Sequence, residues 1–409
     1  MNREFFQKIL LIFLALFCIS RPIASIVIFN KIGIFGLTIA ELFAICFSYG
    51  LIVVVLLNGL TRNLGLIEIG IFTFILYCLL SILWGSTVRE ISRLILPLFL
   101  FLAVRLADMD INTLKKNYKR LFIAFFIPAS ISFIMILTQT SPSESSYWTG
   151  LVSFYGAYAG PHSLAHEMFI FSLVGFIYFY FRKISDKEKN LSNLLIYISF
   201  IFIIFNIYFS HTRTVYFGTL VLVFFYLLGR KRYITLLICL SIVFILIVVS
   251  KKTNLIFFDI IGPLTGSDIT GEGYRGMGSG RLGLWQDALN EFRSLPFERL
   301  FLGIGLGKEI LFSAEYFGAS HNDLIALLLS LGIIGTILYF LIITCLITEI
   351  LTSNCDRIIK FTFYGFLLAV LAMNFGSNSY LSRFQLAQYF FFLMGTFHLF
   401  KNIPRDENG

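Results

Sequence analysis

The chain has 409 residues, of which 58% are hydrophobic and only 13% charged, with a mean hydropathy of +0.86. A soluble domain carries roughly 25% charged residues, so the composition excludes an ordinary water-soluble enzyme and implies an all-α polytopic membrane protein. The net charge of +9 calls for no nucleic acid; the anionic headgroups of membrane lipids are its natural counterpart.

Twelve apolar runs are long enough to cross a bilayer, at roughly 8–29, 34–57, 65–84, 91–107, 119–138, 163–181, 193–210, 213–229, 233–250, 321–347, 358–376 and 384–400. The first reads as a retained span, because no small-residue cleavage site follows it. This divides the chain into a nine-span region (1–250), a long loop (251–320) and a three-span region with a short tail (321–409). Lys and Arg then assign sides. Nineteen of the 32 fall in one set of short loops, and seven of the other thirteen lie in the long loop, where charge has little say. Both termini are therefore expected in the cytoplasm, and loop 251–320 outside. Five of the six cysteines lie inside spans and Cys355 in a cytoplasmic loop, so no disulfide framework is expected.

Taken along the chain, several polar groups stand out. Glu41 and Glu68 fall inside predicted spans, where they face a substrate path or lie shallow enough to reach water. Asp108-Met109-Asp110 resembles the acidic pair of metal-dependent sugar transferases, but it sits in the loop richest in Lys and Arg and reads as a solvated charge cluster. His162 and His166 are four apart with Glu167 adjacent, which is helix spacing for two metal ligands; no third ligand is evident, and no metal or other cofactor is expected. Four of the five histidines (His162, His166, His211 and His321) are assigned to the outer side. Any one is explained by a snorkelling side chain; four together are a functional signal.

Arg213 follows the tight turn Ser210-His211-Thr212 and leads directly into a span. Segment 279–293 places Leu282, Trp285, Leu289 and Phe292 at helical spacing, so a short amphipathic helix is predicted there. It opens on Ser279-Gly280-Arg281, and a cation at a helix N-terminus makes sense if an anion binds beside it. An exposed arginine in a glycine loop explains Arg281 equally well. Two guanidinium forks, Arg213 and Arg281, suit the two phosphates of a diphosphate. Finally, Ser320-His321-Asn322-Asp323 opens an apolar helix, with Ser320 expected as its N-cap. Gly332 and Gly335 are expected on the same face as His321, where a second helix or an isoprenoid tail would pack.

On these residues the chain resembles the bacterial O-antigen ligase/polymerase superfamily. The similarity rests on His321-Asn322 followed by Gly332 and Gly335, on Ser279-Gly280-Arg281 with Trp285, on the run Leu302-Gly303-Ile304-Gly305-Leu306-Gly307, and on Thr212-Arg213-Thr214. Its specific part covers about 210–345. The resemblance implies a metal-independent, inverting glycosyltransferase in the inner membrane, acting at its periplasmic face on a glycan carried by undecaprenyl diphosphate. It implies His321 as general base on the acceptor hydroxyl, and Arg213 and Arg281 as the diphosphate clamp, with Asn322 and His162 as further substrate-binding positions. A polysaccharide chain-length regulator is a possible partner. The chain departs from the pattern at Phe217, where ligases usually have Leu, and at Gly160-Pro161-His162, in place of an Asn-Pro-Asn-like turn. The first departure favours a polymerase of lipid-linked repeat units over a ligase that transfers the glycan to lipid A-core. A flippase for the same lipid is the non-enzyme alternative, but it calls for repeat symmetry and paired charges deep in the spans, and neither is evident.

Overall fold

A computed structural model describes residues 3–26, 33–34, 37–38, 50–53, 55–56, 64–145, 152–184, 191–235, 237–238, 281–307, 322–376 and 383–402. The described helices are α1 (Arg3–Ala24), α2 (Leu66–Leu80, continued by the 3-10 turn Ser81–Trp84), α3 (Val88–Leu106) and α4 (Ile111–Leu137). They continue with α5 (Pro161–Ile184), α6 (Leu191–Ser210), α7 (Arg213–Gly229), α8 (Arg281–Ser294) and α9 (Phe297–Leu302). Last come α10 (Asp323–Thr352), α11 (Arg357–Gly376) and α12 (Phe384–Thr396), which runs on into a 3-10 turn over Phe397–Asn402. Six of the helices are long and apolar enough to cross a membrane, and α6 and α7 supply two shorter apolar ones. The chain is thus a mostly helical membrane protein. Such segments are helical because every backbone N–H and C=O must be satisfied within the segment once water is absent.

Ten of the twelve predicted spans overlap described helices. Most of 34–57 and of 233–250 lies outside the described residues. The opening of the second predicted span differs: two-residue strands pair there, Gly33 with Thr38 and Ile34 with Leu37. A second small hairpin joins Ser143–Ser145 to Val152–Phe154 between α4 and α5.

Helix α5 is the central one. Its apolar window is 94% buried, whereas the other five spanning helices bury 44–56% of theirs. It packs on α4, α6 and α7, while α7 lies along α11 and α3 along α12. Large apolar side chains left outside, such as Leu66, Ile204 and Phe217, form the surface expected to meet lipid. Phe217 is 57% exposed. The residue that departs from the ligase pattern therefore lies on the outer surface of the bundle.

Two ends of the bundle can be told apart. At one, Arg105 ends α3 and its guanidinium binds Glu68 of α2 and both oxygens of Glu349 of α10 (3.0 and 2.8 Å). Lys401 reaches the same Glu349 at 2.8 Å. Glu68 is thus part of a buried ion network that ties three helices together. The Asp108–Asp110 turn is at this end too, and each acid has a structural task. The Asp108 backbone N–H donates to Gln7 Oε1 (2.9 Å), and Asp110 caps α4 by accepting from the Thr113 N–H (3.0 Å). That bond and the Thr113 hydroxyl hold the Asp110 carboxyl below its ordinary range. The other end carries the starts of α5, α7 and α10 and the end of α11.

Candidate functional site

Asn322, not Ser320, is the N-cap of α10. Its Oδ1 accepts from the Leu324 and Ile325 N–H groups (3.0 and 3.2 Å), and the first helical residue is Asp323. His321 and Ser320 themselves lie outside the described residues. The straight face expected to run from His321 through Gly332 to Gly335 is interrupted within the described residues: α10 breaks at Gly332, whose backbone has φ +64° and ψ −167°. The break is sharp. Asp323 comes within electrostatic reach of Tyr339, which a straight helix would hold about 24 Å away. The limb 332–352 is about 30 Å long and crosses the bilayer on its own. The limb before it folds back and carries Asn322 and Asp323 inward, where both are 1% exposed.

The glycine-rich run after α9 makes this break possible. Breaking a helix frees its carbonyls, and a freed carbonyl in an apolar interior costs about 1–3 kcal/mol. Here Leu329 O accepts from the Ile304 N–H and Ser330 O from the Gly305 N–H, both at 2.9 Å. Leu331 O accepts from the Tyr77 hydroxyl at 2.8 Å. The fit allows no side chain at the crossing: a Cβ on Gly303 would strike Ser330 O, and one on Gly332 would strike Phe301 O. Beyond the crossing, the Leu306 N–H donates to Ser86 Oγ (2.7 Å), anchoring the run to the turn after α2. The face beside Gly332 and Gly335 is filled by this run and by the Tyr77 ring. It is therefore not a groove for an isoprenoid tail.

Arg213 and Arg281 each occupy the first position of a helix, α7 and α8. Neither helix has an acidic residue in its first turn. Arg213 is half-buried; the Arg281 side chain lies outside what the structure describes. Three consecutive residues at the end of α11 gather the elements that bear the candidate residues. Met373 packs where α7 has Gly218, close enough that a Cβ there would meet its sulfur at 2.7 Å. Asn374 lies with the Tyr339 hydroxyl, beside Asp323. Phe375 takes the edge of the Trp285 ring of α8, centroids 5.3 Å apart. Trp285 is one turn beyond Arg281. Because α7 and α11 run antiparallel, Arg213 projects past the end of α11. The helices that open on Arg213, Arg281 and Asp323 thus each have a contact with the last turn of α11 or with the residues it packs on, and Asp323, Tyr339 and Asn374 are buried polar groups at this end.

His162 belongs to a second cluster, at the start of α5. Pro161 opens that helix, as suits a residue without an N–H. His162 is exposed on its first turn, whereas His166 and Glu167 are buried. Ser25 Oγ donates to Glu167 Oε1 at 2.8 Å. Arg21 of α1, Tyr158 and Tyr389 of α12 surround the same carboxylate, all buried. Arg383, before α12, acts electrostatically on His166. His211 sits in the turn before α7 with φ +49°, and burial holds its imidazole below the ordinary histidine range. Glu41 lies outside the described residues.

Sequence reasoning missed Asp323, Tyr339 and Asn374 as a set, and it missed Arg21. For Arg21 a signal was available: a cation next to Pro22 inside an apolar run. For Tyr339 and Asn374 there was none, because both read as ordinary positions of apolar helices and only the fold of α10 brings them to Asp323.

A family model described as O-antigen ligase matches residues 198–340. The match runs from α6 to the first half of α10 and covers both arginine-led helices and the Gly332 break. It agrees with the resemblance to the O-antigen ligase/polymerase superfamily and indicates a membrane enzyme of glycosyltransferase type. No curated protein matches the chain.

Proposed function

We propose that this protein polymerises undecaprenyl-diphosphate-linked oligosaccharide repeat units, of O-antigen or a related surface polysaccharide, at the periplasmic face of the inner membrane. The supporting observation is the convergence of two arginine-led helices and the capped start of α10 on the end of α11. A cation at a helix start is disfavoured by the dipole and becomes favourable when an anion bridges it and the free N–H groups. Two such starts, with two guanidinium forks, suit the two phosphates of a diphosphate.

In this reading His321, next to the Asn322 cap, takes the proton from the acceptor hydroxyl. The hydroxyl oxygen forms the new bond to the anomeric carbon from the face opposite the leaving group. The carbon–oxygen bond to the diphosphate breaks, and the lipid diphosphate leaves with its electron pair. Arg213 and Arg281 take up the charge that develops on it. Asn322 holds the helix start, and His162 contacts the glycan at the rim of α5.

The test is a set of chromosomal substitutions read out on lipopolysaccharide gels. His321→Ala, and Arg213 or Arg281→Gln, should leave membrane levels of the protein unchanged and abolish polymer, with a single repeat remaining on the lipid core. Bare core with stranded lipid-linked polymer would instead make it a ligase. Near-normal polymer in His321→Ala would remove the proposed base.

A further inference from the structure

The end of the bundle opposite Asn322 holds a cavity of about 890 Å³ between the turn after α7 and the turn that joins α10 to α11. Six cations line it, Lys183, Arg230, Lys231, Arg232, Arg357 and Lys360, against a single carboxylate, Asp356. That carboxylate is already engaged, since its Oδ1 accepts from the Ile358 N–H at 2.6 Å. Among the described residues, none of the six cations forms an ion pair.

A basic loop facing water would ordinarily hold its side chains loosely. Two arginines here are held in place. The Arg230 guanidinium lies 5.3 Å from the Phe179 ring and 5.5 Å from the Tyr226 ring, and Nη1 donates to the Tyr226 hydroxyl (3.1 Å). Arg357 lies 5.1 Å from the Phe361 ring, with Nη2 shared between Leu228 O (3.4 Å) and the Tyr233 hydroxyl (3.3 Å). Each fork keeps donors to spare, because a guanidinium has five N–H groups. The floor is rigid too: a Cβ on Gly229 would come within 3.1 Å of the Ile358 Cα and the Phe361 Cβ, so α7 and α11 touch there.

We propose that this cavity is a binding site for phosphate esters, and that its occupant is the headgroup of an anionic phospholipid. Fixed guanidinium forks match phosphate oxygens in pairs. A volume of about 890 Å³ has room for a headgroup with two phosphates. Apolar surface at the rim favours a lipid over a free phosphate. Leu351 lines the cavity and is 51% exposed, and Ile234, just past the basic turn, is 76% exposed. Acyl chains would lie along these. The site is independent of the glycosyl-transfer reading, because none of its residues belongs to the α7–α8–α10 convergence.

The test uses the full chain in detergent, titrated with diphosphatidylglycerol or phosphatidylcholine, with bound lipid read by native mass spectrometry. Wild-type protein should retain diphosphatidylglycerol about tenfold better than phosphatidylcholine, and millimolar inorganic pyrophosphate should not displace it. The double variant R230K/R357K keeps the charge, and with it membrane orientation, but loses both forks; its preference should fall to about threefold. R230Q/K231Q/R232Q/R357Q, checked for correct insertion, should lose it altogether. Equal retention by wild type and both variants would overturn the site. Displacement by pyrophosphate would overturn the lipid assignment in favour of a soluble phosphate.

Discussion

Gly332→Ala is the sharpest probe of how α10 is built. Its backbone, at φ +64° and ψ −167°, lies in a region open essentially to glycine alone, where any other residue costs about 1–3 kcal/mol. The new Cβ would also meet the Phe301 carbonyl. Relieving that collision moves the run after α9 away and loosens its bonds to Leu329 O and Ser330 O, of which losing even one adds about 1–3 kcal/mol. The expected destabilisation is therefore about 2–6 kcal/mol. Thermal unfolding in detergent, followed by a thiol-reactive dye, should show a midpoint several degrees lower. Polymer formation should fall with it, because the limb that carries Asn322 loses its anchor. Tyr77→Phe removes a single donor and should cost about 1 kcal/mol. A Gly332→Ala protein that unfolds within about 1 °C of wild type would refute the interlock, since even the backbone term alone exceeds that shift.

Other outcomes are expected. Arg105→Ala leaves Glu68 and Glu349 as buried carboxylates, whose side chains are 9% and 8% exposed, and should cost about 3–5 kcal/mol; Glu349→Gln, which spares the Arg105–Glu68 pair, should cost less in the same unfolding assay. Asn322→Ala removes the α10 cap and should cost about 1 kcal/mol, with Asn322→Asp restoring most of it. The Asp110 cap should be pH-dependent. A carboxyl held below its ordinary range contributes fully above the unfolded value and loses that contribution as pH falls through the folded one. The midpoint difference between wild type and Asp110→Ala should therefore hold steady near neutrality and shrink below the ordinary carboxylate range. Transfer activity should survive chelation by EDTA if the two arginines alone take up the leaving charge; strict dependence on a divalent ion would remove that account.

The membrane class, most span positions, the amphipathic α8 and the placing of Arg213 at a span start were legible in the sequence. Each depends on composition or on period along the chain, and the hydrophobic effect reads those locally. The helix start at Asn322 was misplaced by two residues because Ser, Asn and Asp all make good caps, and only the backbone decides among them. The glycines at 303, 305, 307 and 332 were visible as a pattern. Their meaning was not: Gly303 and Gly332 lie where two segments cross so closely that neither has room for a Cβ, while Gly305 and Gly307 pack against Gly85 and against Thr87 and Glu90.

What the sequence settled by itself was that the chain is a helical membrane protein, where most of its spans lie, and that Arg213 and Arg281 stand at helix starts. Tertiary structure alone decided that α10 breaks and folds back, that Asp323 comes within electrostatic reach of Tyr339, and that Glu68 serves an ion network. Patterning along one helix is a short-range property, whereas satisfying freed carbonyls and buried charges requires partners far away in the chain. Those partners are chosen by packing, and no local stretch of residues encodes them.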